Sequence, residues 1–329
     1  MNLRKQGVTG APIALVAGAS RGLGLLVARE LGSRGYRVVI CARDEDELLR
    51  GAQLLKADGV DVTPRVCDVA DGAAVLALVN DVETNVGPID TLVTVAGVIE
   101  VGPLESMTEA HFTQAVDVML WGPVHLALAV LPHLRRRRSG RIGTVTSIGG
   151  MVSVPHLLPY STAKFAAVGF SQGLAAELAG TGVTATTIVP GLMRTGGHLH
   201  AQFTGQQDKE YAWFAASGSL PLIAMDAERA AKVMVTAVLA GKPTVILTPL
   251  AKIGARVHGL APATTVRFMK LASRLLPSPP TGSETGTVPG HVVDRRLDSR
   301  VFDTLIALGQ KAARRFNETA ITKTERGMS

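Results

Sequence analysis

Cysteine is almost missing from this chain of 329 residues: there are two, Cys41 and Cys67. Neither stands in a metal-ligand or redox spacing, which excludes a disulfide framework and a dithiol motif and leads us to expect a reduced, cytoplasmic setting. There is no stretch near the roughly 18 uninterrupted apolar residues of a membrane span. Arg4 and Lys5 precede an apolar stretch, but Gly18 to Gly24 break it at once, so a signal peptide is not expected. Internal repeats and low-complexity segments are missing too. Residues 1–250 have no charge excess, with 21 basic and 21 acidic side chains, whereas 251–329 carry 13 and 6, so the net charge of +7 resides in the tail. The run Arg135 to Arg138 closes an expected helix, where cations complement the helix dipole, so it does not argue for nucleic acid.

What is present begins with strand, glycines, helix. The apolar run Ile13 to Ala17 suits a buried parallel strand, and Leu23 to Leu31 suits a helix that starts at the last glycines. Between them lies Gly18-Ala19-Ser20-Arg21-Gly22-Leu23-Gly24. Gly18 allows the tight turn, Gly22 the approach of a pyrophosphate to backbone N–H groups, and Gly24 close packing of helix on strand. A second strand, Val38 to Ala42, ends at Arg43. Where an acid would hold ribose hydroxyls stands Ala42, while Arg43, with Arg21, offers guanidinium groups for a 2′-phosphate, which favours NADP(H) over NAD.

Further along stand Ser147 and Tyr160-Ser161-Thr162-Ala163-Lys164. Residues four apart share a helix face, so the Lys164 ammonium is expected beneath the Tyr160 phenol, drawing its pKa from about 10 towards neutrality and fitting it for proton transfer. Strands are expected also at Val62 to Val66, Thr91 to Val95, Ile142 to Val145, Thr184 to Val189 and Thr244 to Thr248. Helices are expected at Ala73 to Val86, Glu109 to Leu134, Ser161 to Leu178 and Ala227 to Leu239. This alternation predicts an α/β fold, a doubly wound parallel sheet (Rossmann fold) with helices on both faces and a C-terminal helical extension.

From Ala11 to Leu250 these motifs, in this order, resemble the short-chain dehydrogenase/reductase family. The resemblance implies a catalytic set of Ser147, Tyr160 and Lys164. It implies a cofactor set of Gly18, Ser20, Arg21, Gly22, Leu23 and Gly24 in the turn, Arg43, then Asp68 and Val69 at the adenine, Ala96 and Gly97, Tyr160 and Lys164 again, and Pro190, Gly191 and Thr195 at the nicotinamide. Two positions depart from the family. Thr94-Val95-Ala96-Gly97 replaces Asn-Asn-Ala-Gly, and Met119 stands where an asparagine usually helps hold a proton-relay water.

The family also implies a mobile substrate lid, here 192–225, within a catalytic domain of 1–250. Met193, Leu199, Phe203, Tyr211, Trp213, Phe214 and Leu222, with Met151, Val154, Leu157 and Leu158, either line a pocket for a lipophilic alcohol or ketone or pack the lid onto the core. His198 and His200 lack a third ligand, so no metal is expected. In the extension, 251–329, Arg267, Lys270 and Arg274 form one helical stripe and Phe268, Leu271 and Leu275 the next, fitting peripheral contact with an anionic membrane or packing with the charges outward. A flexible link is expected over 277–290, then a helix from Val301 to Phe316 with Val301, Leu305, Leu308 and Ala312 on its inner face. Homo-oligomerisation is implied by the family alone. A steroid-, retinoid- or fatty-chain-like substrate is expected. A reductase of acyl-thioester or polyketide carbonyls, or an NADPH-binding regulator or scaffold with impaired catalysis, stays open.

Overall fold

A computed structural model of the chain describes residues 10–219, 224–279, 286–297 and 300–319, with backbone alone for 300–305. Seven strands form one parallel sheet: β1 (Ile13–Ala17), β2 (Arg37–Ala42), β3 (Val62–Val66), β4 (Ile89–Thr94), β5 (Gly140–Val145), β6 (Val183–Val189) and β7 (Thr244–Ile246). Their order is β7-β6-β5-β4-β1-β2-β3. All five residues of β1, an interior strand next to the centre of the sheet, are buried, as a strand covered on both faces requires. β3 carries Pro64, which has no N–H to give, and accordingly lies at the edge.

Helices cover both faces. α1 (Gly22–Ser33) and α2 (Glu45–Ala57) share one face with α7 (Ala227–Leu239), burying Leu25, Leu48 and Met234 in one core. On the other, α3 (Gly72–Asp81), α4 (Glu109–Arg137) and α5 (Leu158–Glu177) bury Val79, Leu126 and Ala163. The starts are set by side-chain caps: Asp44 accepts from the Glu47 N–H at 2.7 Å, and Asp71 and Asp226 do the same for α3 and α7. α4 contains one wide π-helical turn, Asp117–Trp121. It is long and apolar enough to cross a membrane, but half of its most apolar window is buried within the protein, as befits a core helix.

The segment expected to form the lid contains α6 (Gln207–Ser219). Phe203 and Tyr211 are fully buried and form a third core with Leu157, Val293 and Ile306. For these two aromatics the packing reading therefore holds; Leu222 lies outside the described residues. The extension proves to be no separate appendage. After α8 (Pro249–Leu260) and α9 (Pro262–Ser273), the expected link ends in a short strand, Val288–Pro289, paired antiparallel to Gln202–Phe203 in the lid. The Tyr211 hydroxyl donates to Asp294 at 2.6 Å. The last helix, α10 (Arg300–Arg315), corrects the expected face: Leu308 is 44% exposed, and Ile306, Ala313 and Phe316 point inward beside Ala312. Val301 and Leu305 fall outside the described side chains.

Candidate active site

At the carboxyl edge of the sheet, β1 delivers the glycine turn. Gly18 has φ +77° and a Cβ there would lie 2.4 Å from the Ala96 nitrogen, while a Cβ on Gly24 would meet the Gly18 carbonyl at 1.9 Å. Both glycines are therefore required for the turn to lie against β4 and α1. Between them, Ser20 and Arg21 both engage the carboxylate of Glu47, which is buried under the turn on α2. Arg43 is presented: its side chain is 56% exposed and its guanidinium lies 4.0 Å from Asp68. Asp68 accepts from the Ala70 N–H at 3.0 Å, and Val69 is buried beside it.

Ser147, Tyr160 and Lys164 come together where β4, β5 and α5 meet. Ser147, just past β5, accepts from the Gly149 N–H at 3.0 Å and is hydrogen-bonded to the Tyr160 hydroxyl. Lys164, one turn along α5, lies with its Nζ 5.8 Å from the centre of the Tyr160 ring and donates to the Val145 carbonyl at 3.0 Å. The expected depression of the tyrosine does not appear. Burial pushes the Tyr160 phenol above its ordinary value, the Ser147 hydrogen bond only partly opposing it, while burial brings Lys164 down to about 8. A desolvated phenol and a desolvated ammonium are each biased towards their neutral forms.

Gly97 stands between this group and α4: a Cβ there would lie 3.6 Å from Met119 Sδ and 3.9 Å from Lys164 Nζ. Met119 is fully buried in the π-helical turn. The relay position therefore holds a thioether, and such a turn leaves backbone carbonyls out of the regular α-helical ladder.

The loop after β6 forms the opposite wall. The Pro190 carbonyl accepts from the Ile148 N–H at 2.8 Å, holding the loop against the segment after Ser147. A Cβ on Gly191 would meet Thr248 Oγ1 at 2.2 Å. Thr195 Oγ1 accepts from Gly197 N–H at 3.3 Å. His198 is buried and drawn down to about 4 by desolvation, and packs against Tyr211, with ring centres 5.9 Å apart. Among the described residues no group of His, Cys, Asp and Glu could hold a metal ion.

Sequence reasoning missed three features. His156 Nδ1 lies 2.7 Å from Glu210 Oε1, and Trp213 Nε1 donates to Glu210 Oε2 at 2.7 Å, joining the approach to Tyr160 to the lid. Glu47, just described, is the second. The third is the end of the described chain, which lies across the glycine turn: Gly22 N–H donates to the Phe316 carbonyl at 2.8 Å, and Asn317 donates to the Ser20 and Glu47 carbonyls at 2.9 and 3.1 Å. The Glu318 carboxylate fills the space before Gly22, its Oε1 2.8 Å from where a Cβ would be, and Oε2 accepts from the Gly196 N–H at 2.7 Å. Burial pushes Glu318 up to about 7; the Gly196 hydrogen bond and the nearby His200 and Arg21 oppose the rise, and Glu47 adds to it. Asn317, at φ +60° just beyond α10, offered the one local sign, that of a left-handed helix stop.

The turn fits a dinucleotide: its close-packed glycines leave the backbone bare, and the space before Gly22 accommodates an anionic group. Comparison with known proteins agrees. The family model for short chain dehydrogenase matches residues 12–202. A Streptomyces coelicolor protein, named provisionally as a ketoacyl reductase, is 38% identical over 185 residues, 56% of this chain and 71% of its own. The 17-beta-hydroxysteroid dehydrogenase 13 of Mus musculus is 33% identical over 196 residues, 59% of this chain and 64% of its own. Among solved structures, an actinorhodin polyketide ketoreductase with NADPH aligns with TM-score 0.64 at 28% identity, over 74% of this chain and 97% of that one.

Proposed function

This chain belongs to the short-chain dehydrogenase family, and we propose that it is an NADP(H)-dependent oxidoreductase that reduces the carbonyl group of a lipophilic molecule. The observation that carries this reading is the convergence of Ser147, Tyr160 and Lys164 beside Gly97, next to a core in which Ile99, Val154 and Leu157 meet the aromatic side chains of the lid. NADP(H) is favoured because Arg43 is exposed at the end of β2 next to Ala42, with no carboxylate in the ribose position. The solved ketoreductase is a complex with NADPH, which supports the same choice.

When bound, the nicotinamide exchanges hydride at its C4. Tyr160, kept protonated by burial, gives its proton to the substrate oxygen as that oxygen gains charge. Ser147 orients the same oxygen through its hydroxyl. Lys164, still cationic below a pH of about 8, favours the phenolate left behind. A ketone on an acyl thioester or polyketide is the second reading, supported by the ketoacyl and polyketide reductases among the relatives.

Two exposed features bear on partners. α8 and α9 project with Leu260 and Leu275 89% and 87% exposed, and the stretch from Pro249 to Leu276 contains Lys252, Arg256, Arg267, Lys270 and Arg274 but no acid. Of the residues in α9 only Thr265 is buried, so the stripe of Phe268 and Leu271 is not packed onto the protein. An anionic membrane surface suits both the apolar and the cationic side chains. Leu128 and Trp121, exposed on α4, suit a contact between copies of this chain.

The test is Tyr160→Phe, which keeps the ring and deletes the proton. Reduction of a ketone accepted by the wild type should fall by about 10²–10⁴-fold while NADPH still binds. Undiminished turnover would remove Tyr160 from the mechanism.

A further inference from the structure

We propose that Phe316-Asn317-Glu318 is a latch that seats its own carboxylate where the cofactor's pyrophosphate binds, so that cofactor entry requires the end of the tail to leave. This rests on the dinucleotide reading of the glycine turn. The space before Gly22 is what the absent side chain leaves for an approaching phosphate, and Glu318 Oε1 lies in it. The other wall of the cleft, the loop after Pro190, gives its Gly196 N–H to Oε2 of the same carboxylate. One side chain therefore bridges the two walls that a dinucleotide would bridge.

The donors are used as well. Gly22 N–H is one of the first-turn groups that a helix leaves without an internal partner and that suit an anion; here the Phe316 carbonyl takes it. A phosphate and the latch cannot share this donor and this space. Their charges would also repel at such range. The loop is shaped for the tail: a Cβ on Gly196 would lie 2.5 Å from the Ala313 methyl and 2.8 Å from the Glu318 Cβ. Asn317 clips the segment to the Ser20 and Glu47 carbonyls, and His200 donates to the Glu318 carbonyl at 2.8 Å. The Asn317 and Glu318 fastenings lie beyond the end of α10 and can open without unfolding that helix, while Phe316 is held in the core beside Ala312.

Proton binding tightens the latch. Burial raises Glu318 to about 7 from an ordinary 4.5, with Arg21 and His200 opposing and Glu47 reinforcing. Docking is thus fully favoured below the ordinary value and weakens as pH rises through about 7, when the buried carboxyl ionises.

The test compares NADPH binding, followed by nucleotide fluorescence, to the wild type, to Asn317→Ala with Glu318→Ala, and to the chain ending at Arg315. A latch closed nine times in ten lowers apparent affinity about tenfold, so both altered chains should bind about tenfold more tightly. Hydrogen exchange across 313–318 in the wild type should speed up when NADPH is added. Glu318→Gln, which keeps the shape without the charge, should stay weak from pH 6 to 8.5, while the wild type approaches the shortened chain as pH rises. Equal or weaker binding by both altered chains, or slower exchange across 313–318 with NADPH, would overturn the latch and make the segment a fixed part of the site. No NADPH binding by any of the chains, the shortened one included, would overturn the cofactor reading itself and the latch with it.

Discussion

His156 and Glu210 form a partly buried pair, Nδ1 to Oε1 at 2.7 Å, that ties the approach to Tyr160 to α6. Glu210 is fully buried, and its second oxygen accepts from Trp213. Removing Glu210 leaves the Trp213 indole N–H and the half-buried His156 ring without their acceptor, which costs about 1–3 kcal/mol. Glu210→Ala is expected to lower the melting temperature by several degrees and to raise KM more than it lowers kcat, since the lid loosens while Ser147, Tyr160 and Lys164 stay in place. A proportional loss of both, with unchanged melting, would detach this pair from the lid.

Cofactor choice should depend on Arg43. Arg43→Ala removes a charge-assisted contact worth about 1.5–3 kcal/mol, or roughly 10- to 150-fold in NADPH affinity. NADH affinity should hardly change. Titration of both nucleotides decides, and equal losses would refute the assignment.

The pH profile of reduction should break where Lys164 titrates. Its charge is present below about 8 and lost above, so kcat/KM should decline as pH rises through that value. The residual rate of Lys164→Met should show no such break. A profile indifferent to pH between 7 and 9 in the wild type would argue that the ammonium plays no part in the proton transfer.

Met119→Asn places an amide in the π-helical turn. If that turn's own carbonyl holds the relay water, single-turnover reduction should keep its rate, or lose some of it, because a polar group enters a buried apolar site. A large increase in rate with an altered solvent deuterium isotope effect would show that the thioether handicaps the relay.

The projecting hairpin of α8 and α9 should bind phosphatidylserine vesicles, less so as salt screens the attraction. Leu260→Asp with Leu275→Asp should abolish sedimentation with them while leaving NADPH binding intact. Concentration-dependent dimers that vanish in this double variant, with no vesicle binding, would make the hairpin a contact between copies instead.

Much of this was legible in the chain. β1 and β2 are largely apolar runs of the kind a parallel sheet needs, and β3 and α7 end where their patterns end, at Val66 and Leu239. The Ser147, Tyr160 and Lys164 spacing foretold their meeting. What escaped had physical causes. α6 is flanked by core on one side and tail on the other, which leaves no simple apolar stripe. α2 begins with a run of acids, Asp44 to Glu47, that reads as surface, yet Glu47 turns inward to Ser20 and Arg21. For Tyr160, spacing reveals the neighbouring Lys164 charge and conceals the depth of burial that pushes the phenol the other way. Contacts such as Glu318 to Gly196 join distant positions, and no local pattern announces them.

The bond from Asn317 to Ser20 spans 297 positions, and this separation has a meaning during translation. At about 5–20 residues per second, Ser20 leaves the ribosome roughly 15 to 60 s before Asn317 does. For the last 122 positions of that span, from Gly196 to Glu318, both walls of the proposed cleft have been made and Glu318 has not. A nucleotide abundant in the cell therefore meets the growing chain before its competitor has been made, and the first occupant of the cleft is decided by order of synthesis as well as by affinity.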